Sequence, residues 1–220
     1  MFYYSYSRIL SYNAFLNFLI GERGVGKTYG AVKFVTKEFI KKGHQFVYLR
    51  RYKSDLKKSV PTFFDSISNN NEFPEHKLVS KGNNLFVDEK QAGYAISLST
   101  AQDLKSANFD KVKYIIFDEF IIDEGVKKYY LSNEVEVFLN LIETIARMRN
   151  IKVFLLGNAG NLITNPYFLF PISILVCSKI FPPILSYNVI SFLISFLSVG
   201  KDKFAIVLLL LSWYLRLIIL

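Results

Sequence analysis

Apolar residues in this chain follow two rhythms. Near-continuous runs rich in β-forming residues occupy 15–20, 45–50, 111–117 and 151–156. Such runs predict strands buried on both faces of a sheet. Between them, residues 27–40 and 133–147 repeat their apolar positions every three to four residues, the period of a helix. Strand 15–20, helix 27–40 and strand 45–50 in succession make a β-α-β unit, which predicts a mainly parallel sheet. The first helix stops at Lys41-Lys42-Gly43, a basic last turn with glycine where a left-handed cap belongs. Asn133-Glu134-Val135-Glu136 has the form of a capping box. The helix behind it turns Val137, Leu139, Leu141, Ile142, Ile145 and Met148 toward a core. Residues 85–88 and 94–98 predict a hairpin around a loop at 89–93, and the turn-rich stretch 66–75 predicts a surface loop.

The junction of the first strand and first helix carries the clearest chemistry. Residues 21–28, GERGVGKT, meet the pattern G-x-x-x-x-G-K-[ST] at each fixed position. Gly21, Gly24 and Gly26 remove side chains, so that successive backbone N–H groups can turn toward phosphate oxygens. The following helix adds its positive end. Lys27 is placed to reach the β- and γ-phosphates of ATP, and Thr28 to ligate Mg²⁺. A strand before the loop and a helix after it supply the context that the pattern requires. Residues 1–14, aromatic and polar without a clean period, either pack over the nucleotide or cover the sheet edge.

The strand 111–117 ends in Asp118-Glu119. An aspartate at such a strand end holds the Mg²⁺ shell in P-loop NTPases, and Glu119 can take a proton from an attacking water. A kinase, which positions a substrate hydroxyl, has no need of that glutamate; an ATP-hydrolysing motor does. Asn158 follows the last core strand and is read either as a hydrogen-bond partner of the γ-phosphate or lytic water, or as a turn former. Arg147 and Arg149 close the second helix. Spacing alone favours cations that complement the helix dipole over an arginine finger for a neighbouring subunit.

Charge adds a partner class. The chain has 27 Lys+Arg against 18 Asp+Glu, a formal charge of +9, which favours polyanions. Between residues 41 and 58, Lys41, Lys42, Arg50, Arg51, Lys53, Lys57 and Lys58 stand against Asp55 alone. That stretch is either a phosphate-backbone contact surface or a solvated face. The single cysteine, Cys177, precludes an internal disulfide, and two isolated histidines, His44 and His76, argue against a zinc site. The N-terminus lacks the basic-then-apolar order of a secretory signal.

Composition changes near residues 168–170. Beyond that point the only charges are Lys179, Lys201, Asp202, Lys203 and Arg216. The expected division is a nucleotide-binding domain over 1–168 and an apolar, helical tail over 169–220. Residues 180–200 carry no charge, and 204–220 are interrupted only by Arg216. One or two membrane spans are one reading of this tail. Pro182-Pro183 and five scattered polar residues count against a span, and the preferred reading is a truncated or frame-shifted remnant. A buried helical layer is the third reading.

Taken together, GERGVGKTYG, FVYLRRYKSDL, DEKQAGYAISLS, IIFDEFI, NEVEVFLNLIETIARMRN and GNAGNLITNPYFLF resemble the DNA-encapsidation ATPases of small short-tailed phages, the podoviruses. The likeness runs from about residue 11 to residue 170, and FVYLRRYK and NPYFLF are its more specific parts. It implies a three-layer, ASCE-type P-loop ATPase that packages double-stranded DNA into a preformed capsid. It also implies a homo-oligomeric ring at the portal of the prohead, in the host cytoplasm, transiently during virion assembly. It raises the finger reading of Arg147 above the dipole reading, with Arg149 as fallback, and makes Asn158 resemble the residue that senses the γ-phosphate. Relatives carry a further nuclease-like domain that 169–220 does not match. Two alternatives stand beside this expectation: a membrane-anchored assembly ATPase of the filamentous-phage type, and a non-hydrolysing relative that binds nucleotide or DNA.

Overall fold

The apolar runs become strands of one seven-stranded sheet. These are β1 (Leu16–Gly21), β2 (Gln45–Arg50), β3 (Leu78–Lys81), β4 (Asn84–Val87), β5 (Lys90–Ser97), β6 (Val112–Asp118) and β7 (Lys152–Asn158). Their spatial order is β1-β7-β6-β2-β5-β4-β3. The first five in that order are parallel, and β4 and β3 extend the sheet antiparallel. The fold is therefore a mixed-sheet α/β one. The computed structural model describes residues 5–104, 108–123, 125, 127–158 and 166–168. It divides the chain into residues 1–165, which hold the sheet, and residues 166–220. Of the second unit only the 3-10 turn Pro166–Phe168 is described. The three readings of the tail 169–220 thus concern residues outside those described.

Helices cover both faces of the sheet. α1 (Tyr6–Ser11), α2 (Lys27–Lys42), α3 (Lys53–Ser59) and α4 (Asp65–Asn69) contribute to one core. There Tyr6, Ala31, Val32, Val35, Leu56 and Ile67 pack with Tyr114, Ile116, Phe154 and Leu156. Side chains alternate along a strand, so Ile115 and Phe117 point the other way. Phe117 meets α5 (Glu134–Ala146), whose Phe138 ring lies 5.3 Å from its own. Gly43 caps α2 in the left-handed region, with φ 68°, and its N–H donates to the Phe39 carbonyl. The aromatic N-terminal stretch becomes α1. Tyr6 is buried there, and its hydroxyl donates to the carbonyl of Lys27 at 2.9 Å, binding the start of the chain to the first turn of α2.

Four local expectations change. Asn133 makes no capping-box bond; its φ is 53°, and the Glu134 carboxylate takes the Leu131 N–H instead, at 2.7 Å. Met148 stands fully exposed because α5 ends at Ala146, and Arg147 and Met148 both adopt left-handed backbone. The buried residues of α5 include Phe138, Leu141, Ile142 and Ile145. The hairpin turn shortens to Asp88-Glu89, both at positive φ, the two-residue geometry that matches strand twist. Within 66–75 the chain forms α4, held by the buried Ile67.

Candidate nucleotide site

Parallel register brings three strand ends level. Gly21 of β1 lies opposite Asn158 of β7, and Asp118 of β6 lies opposite Leu156. The loop after β1 then folds over that edge. Gly24 and Gly26 take φ of 85° and 78°, values that a Cβ disfavours, and Gly26 leaves the first turn of α2 without a side-chain cap. Uncapped N–H groups at a helix start are the usual seat of an anion.

Lys27 is buried, and its ammonium has three acceptors: the carbonyls of Gly21 at 2.9 Å and Glu22 at 2.7 Å, and Asn158 Oδ1 at 3.3 Å. Burial holds this ammonium below its ordinary pKa, partly offset by Asp118 and Asp123. Thr28 Oγ1 donates to Asp118 Oδ1 at 3.1 Å. Between the loop residues Gly24, Gly26, Lys27 and Thr28 and the strand-end residues Asp118, Glu119 and Asn158 opens a cleft of about 260 Å³. Gly21 contributes only its carbonyl to Lys27. The hydroxyl of Thr28 and the carboxylate of Asp118 are hard oxygen donors. They suit Mg²⁺, which keeps several waters and completes its shell with phosphate oxygens. Among the described residues no cluster of three or more His, Cys, Asp or Glu gathers to cage a metal without such help.

The acidic pair is held from β2. Arg50 Nη1 donates to Asp118 Oδ2 at 3.1 Å and Nη2 to Glu119 Oε2 at 2.5 Å. Burial pulls the Arg50 pKa down, but Tyr48, Asp118 and Glu119 outweigh it, and the guanidinium stays charged. The Tyr48 hydroxyl donates to Asp118 Oδ2 as well; burial beside that carboxylate pushes the phenol well above its ordinary pKa, so it remains a neutral donor. Glu119 itself has φ 56°, and its side chain is half exposed. Arg51 goes to the opposite side. Its Nε donates to both oxygens of Glu134, at 3.0 and 2.8 Å, and its Nη atoms to the carbonyls of Glu119 and Phe120. The basic stretch is thus split. Arg50 and Arg51 are buried, whereas Lys41, Lys42, Lys53, Lys57 and Lys58 are exposed.

Two candidate arginines stand apart from the cleft. Arg147 is exposed at the end of α5, ahead of β7, and so near the opposite edge of the sheet from Asn158. Arg149 is committed to backbone, donating to the carbonyls of Phe109, Asp110, Val112 and Ile145. That use removes the ground for Arg149 as a substitute finger. Asp123 was not singled out by its sequence, yet it receives Asn158 Nδ2 on both carboxylate oxygens at 3.1 Å. Strand alternation could have found Arg50, which shares a face with Tyr48. No sequence signal marks Asp123.

Residues 1–192 match a family model described as podovirus DNA encapsidation protein. The match continues past residue 170, where the motifs quoted above end. The chain is 44% identical over 169 residues to the DNA packaging protein of Bacillus phage phi29, covering 76% of this chain and 49% of that protein. It is 45% identical over 163 residues to the DNA packaging protein of Bacillus phage B103, covering 74% and 49%. It therefore spans about half the length of the curated relatives it matches. Its structure resembles the crystal structure of the N-terminal domain of the DNA packaging ATPase from bacteriophage phi29, with a TM-score of 0.69 at 43% identity, covering 76% of this chain and 84% of that one.

Proposed function

This chain belongs to the podovirus DNA encapsidation protein family, and on that premise we propose that it is an ATP-hydrolysing motor subunit that drives double-stranded DNA into a preformed capsid. One observation carries the proposal. Thr28 Oγ1 and Asp118 Oδ1 stand 3.1 Å apart, and Lys27 lines the same cleft. A loop built for a triphosphate and an acid built for its counter-ion thus share one site. Helices on both faces of the sheet support a three-layer, ASCE-type P-loop domain over residues 1–168, with 169–220 as a separate apolar tail.

In this mechanism ATP lies across the uncapped start of α2, its phosphates within the turn formed by Gly21, Gly24 and Gly26. Lys27 turns from the Gly21 and Glu22 carbonyls toward the β- and γ-phosphates. Thr28 and Asp118 would hold Mg²⁺ with the nucleotide, and the ion would neutralise phosphate charge. Glu119 orients the attacking water and accepts its proton; Arg50 occupies Oε2, leaving Oε1 for that task. Asn158 contacts the same reacting region. Arg147, distant from its own cleft and exposed, acts on a neighbouring subunit's γ-phosphate in a homo-oligomeric ring at the portal of the prohead, in the host cytoplasm. Contacts to DNA phosphates fall to exposed lysines such as Lys53, Lys57 and Lys58, because Arg50 and Arg51 are buried in ion pairs.

The test is ATP hydrolysis by the purified chain with and without duplex DNA and proheads. Turnover that rises with both is expected. Tight nucleotide binding without turnover under every condition would leave a nucleotide-binding relative in place of a motor.

A further inference from the structure

We propose that Asp123 is a positioning residue that locks the side-chain amide of Asn158 with its carbonyl oxygen toward the cleft, so that Asn158 acts there as a hydrogen-bond acceptor and not as a donor to phosphate. This deepens the ATPase reading and rests on it for its catalytic consequence.

The chemistry of the neighbours dictates the orientation. A carboxylate only accepts and an ammonium only donates. Asn158 Nδ2 stands 3.1 Å from each oxygen of Asp123, and Asn158 Oδ1 stands 3.3 Å from Lys27 Nζ. Turning the amide over would set its carbonyl against two carboxylate oxygens and its N–H₂ group against the ammonium. Both contacts would then be repulsive, so one orientation alone satisfies Lys27 and Asp123 together. The two residues come from different elements, Asn158 from the end of β7 and Asp123 from the connection after β6. Folding of the parallel sheet brings them together.

The consequence concerns the water. With its amide nitrogen held at Asp123, Asn158 presents its carbonyl oxygen, and not its nitrogen, to the Lys27 side of the cleft. Once Lys27 turns to the phosphates, Asn158 Oδ1 loses a donor, and the O–H of a water can replace it. A water that gives one hydrogen bond to Asn158 and the other to Glu119 keeps a lone pair free for phosphorus. Asp123 contributes to turnover by holding that acceptor in place, without touching the nucleotide.

Exchanging the pair tests this in the full-length chain. Asp123→Asn lets the amide of Asn158 turn over, and Asn158→Asp opposes two carboxylates. Each single change is expected to lower kcat about tenfold to a hundredfold, the usual cost of losing an outer partner, with a smaller effect on KM for ATP. The double variant Asp123→Asn/Asn158→Asp restores an amide–carboxylate contact and leaves an acceptor at position 158, so most of the lost turnover should return. If Asn158 serves as a donor to phosphate, the double variant stays as slow as Asn158→Asp, and the proposal fails. A second readout needs no turnover. In protein labelled with ¹⁵N-asparagine, the Asn158 side-chain signal, identified by its loss in Asn158→Asp, should be protected from exchange and lose that protection in Asp123→Ala. Unchanged protection would refute the lock. A chain that hydrolyses no ATP yet shows the protected amide would overturn the ATPase reading and leave the lock standing.

Discussion

At the scale of single residues, the two halves of the cleft have separable tasks. Lys27 supplies a charged donor that a bound triphosphate would take over from two backbone carbonyls and Asn158. Charge-assisted hydrogen bonds contribute about 1.5–3 kcal/mol each. Lys27→Ala should therefore weaken ATP binding by about tenfold to a hundredfold, measured by calorimetry; unchanged affinity would remove Lys27 from the phosphate site. Glu119→Gln keeps the shape of the site and removes the proposed base. It should bind ATP as the parent does while turnover falls by about 10²- to 10⁴-fold. A variant that hydrolyses at the parental rate would reassign the base. The residues around these two divide in legibility. The glycines, Lys27 and Thr28 announce themselves because a phosphate loop is local in sequence. Asp123 is invisible because its function lies in a contact thirty-five positions away.

Elements show why some signals misled. Gly93 reads as punctuation for a loop, yet it lies within β5, where a Cβ would stand 2.8 Å from the Phe46 carbonyl oxygen and 2.7 Å from its ring. Glycine there permits close approach of β2 rather than a turn. Arg50 and Arg51 read as surface charge because basic residues cluster around them. Their position at the end of a central parallel strand delivers them instead to carboxylates on neighbouring elements. Arg51 joins the Glu119-Phe120 backbone to the start of α5 through Glu134, with its guanidinium 4.8 Å from the ring of Tyr130. Truncating one member of so buried a pair strands the other charge. Arg51→Ala should cost about 3–5 kcal/mol, read by chemical denaturation. A loss under about 1 kcal/mol, the range of exposed pairs, would show that water reaches Glu134.

For the whole molecule, the finger role proposed for Arg147 would make a ring a requirement of the proposed mechanism, because Arg147 lies apart from its own cleft. Mixing Arg147→Ala subunits with Glu119→Gln subunits should partly restore DNA-stimulated hydrolysis, since some junctions then combine an intact arginine with an intact glutamate. No recovery in a verified mixed ring would count against action across subunits. The main architecture was legible because long periodic segments and a continuous parallel core declare themselves locally, while strand order did not. Strand order carries its own consequence. Among the described strands β7 is made last, yet it lies between β1 and β6 and is the only partner of β1. While the chain is being made, the glycine loop beside β1 and the acidic pair of β6 lack the strand that joins their edges in the sheet. The nascent protein therefore has no assembled nucleotide site until residue 158 has left the exit tunnel and β7 has entered that gap.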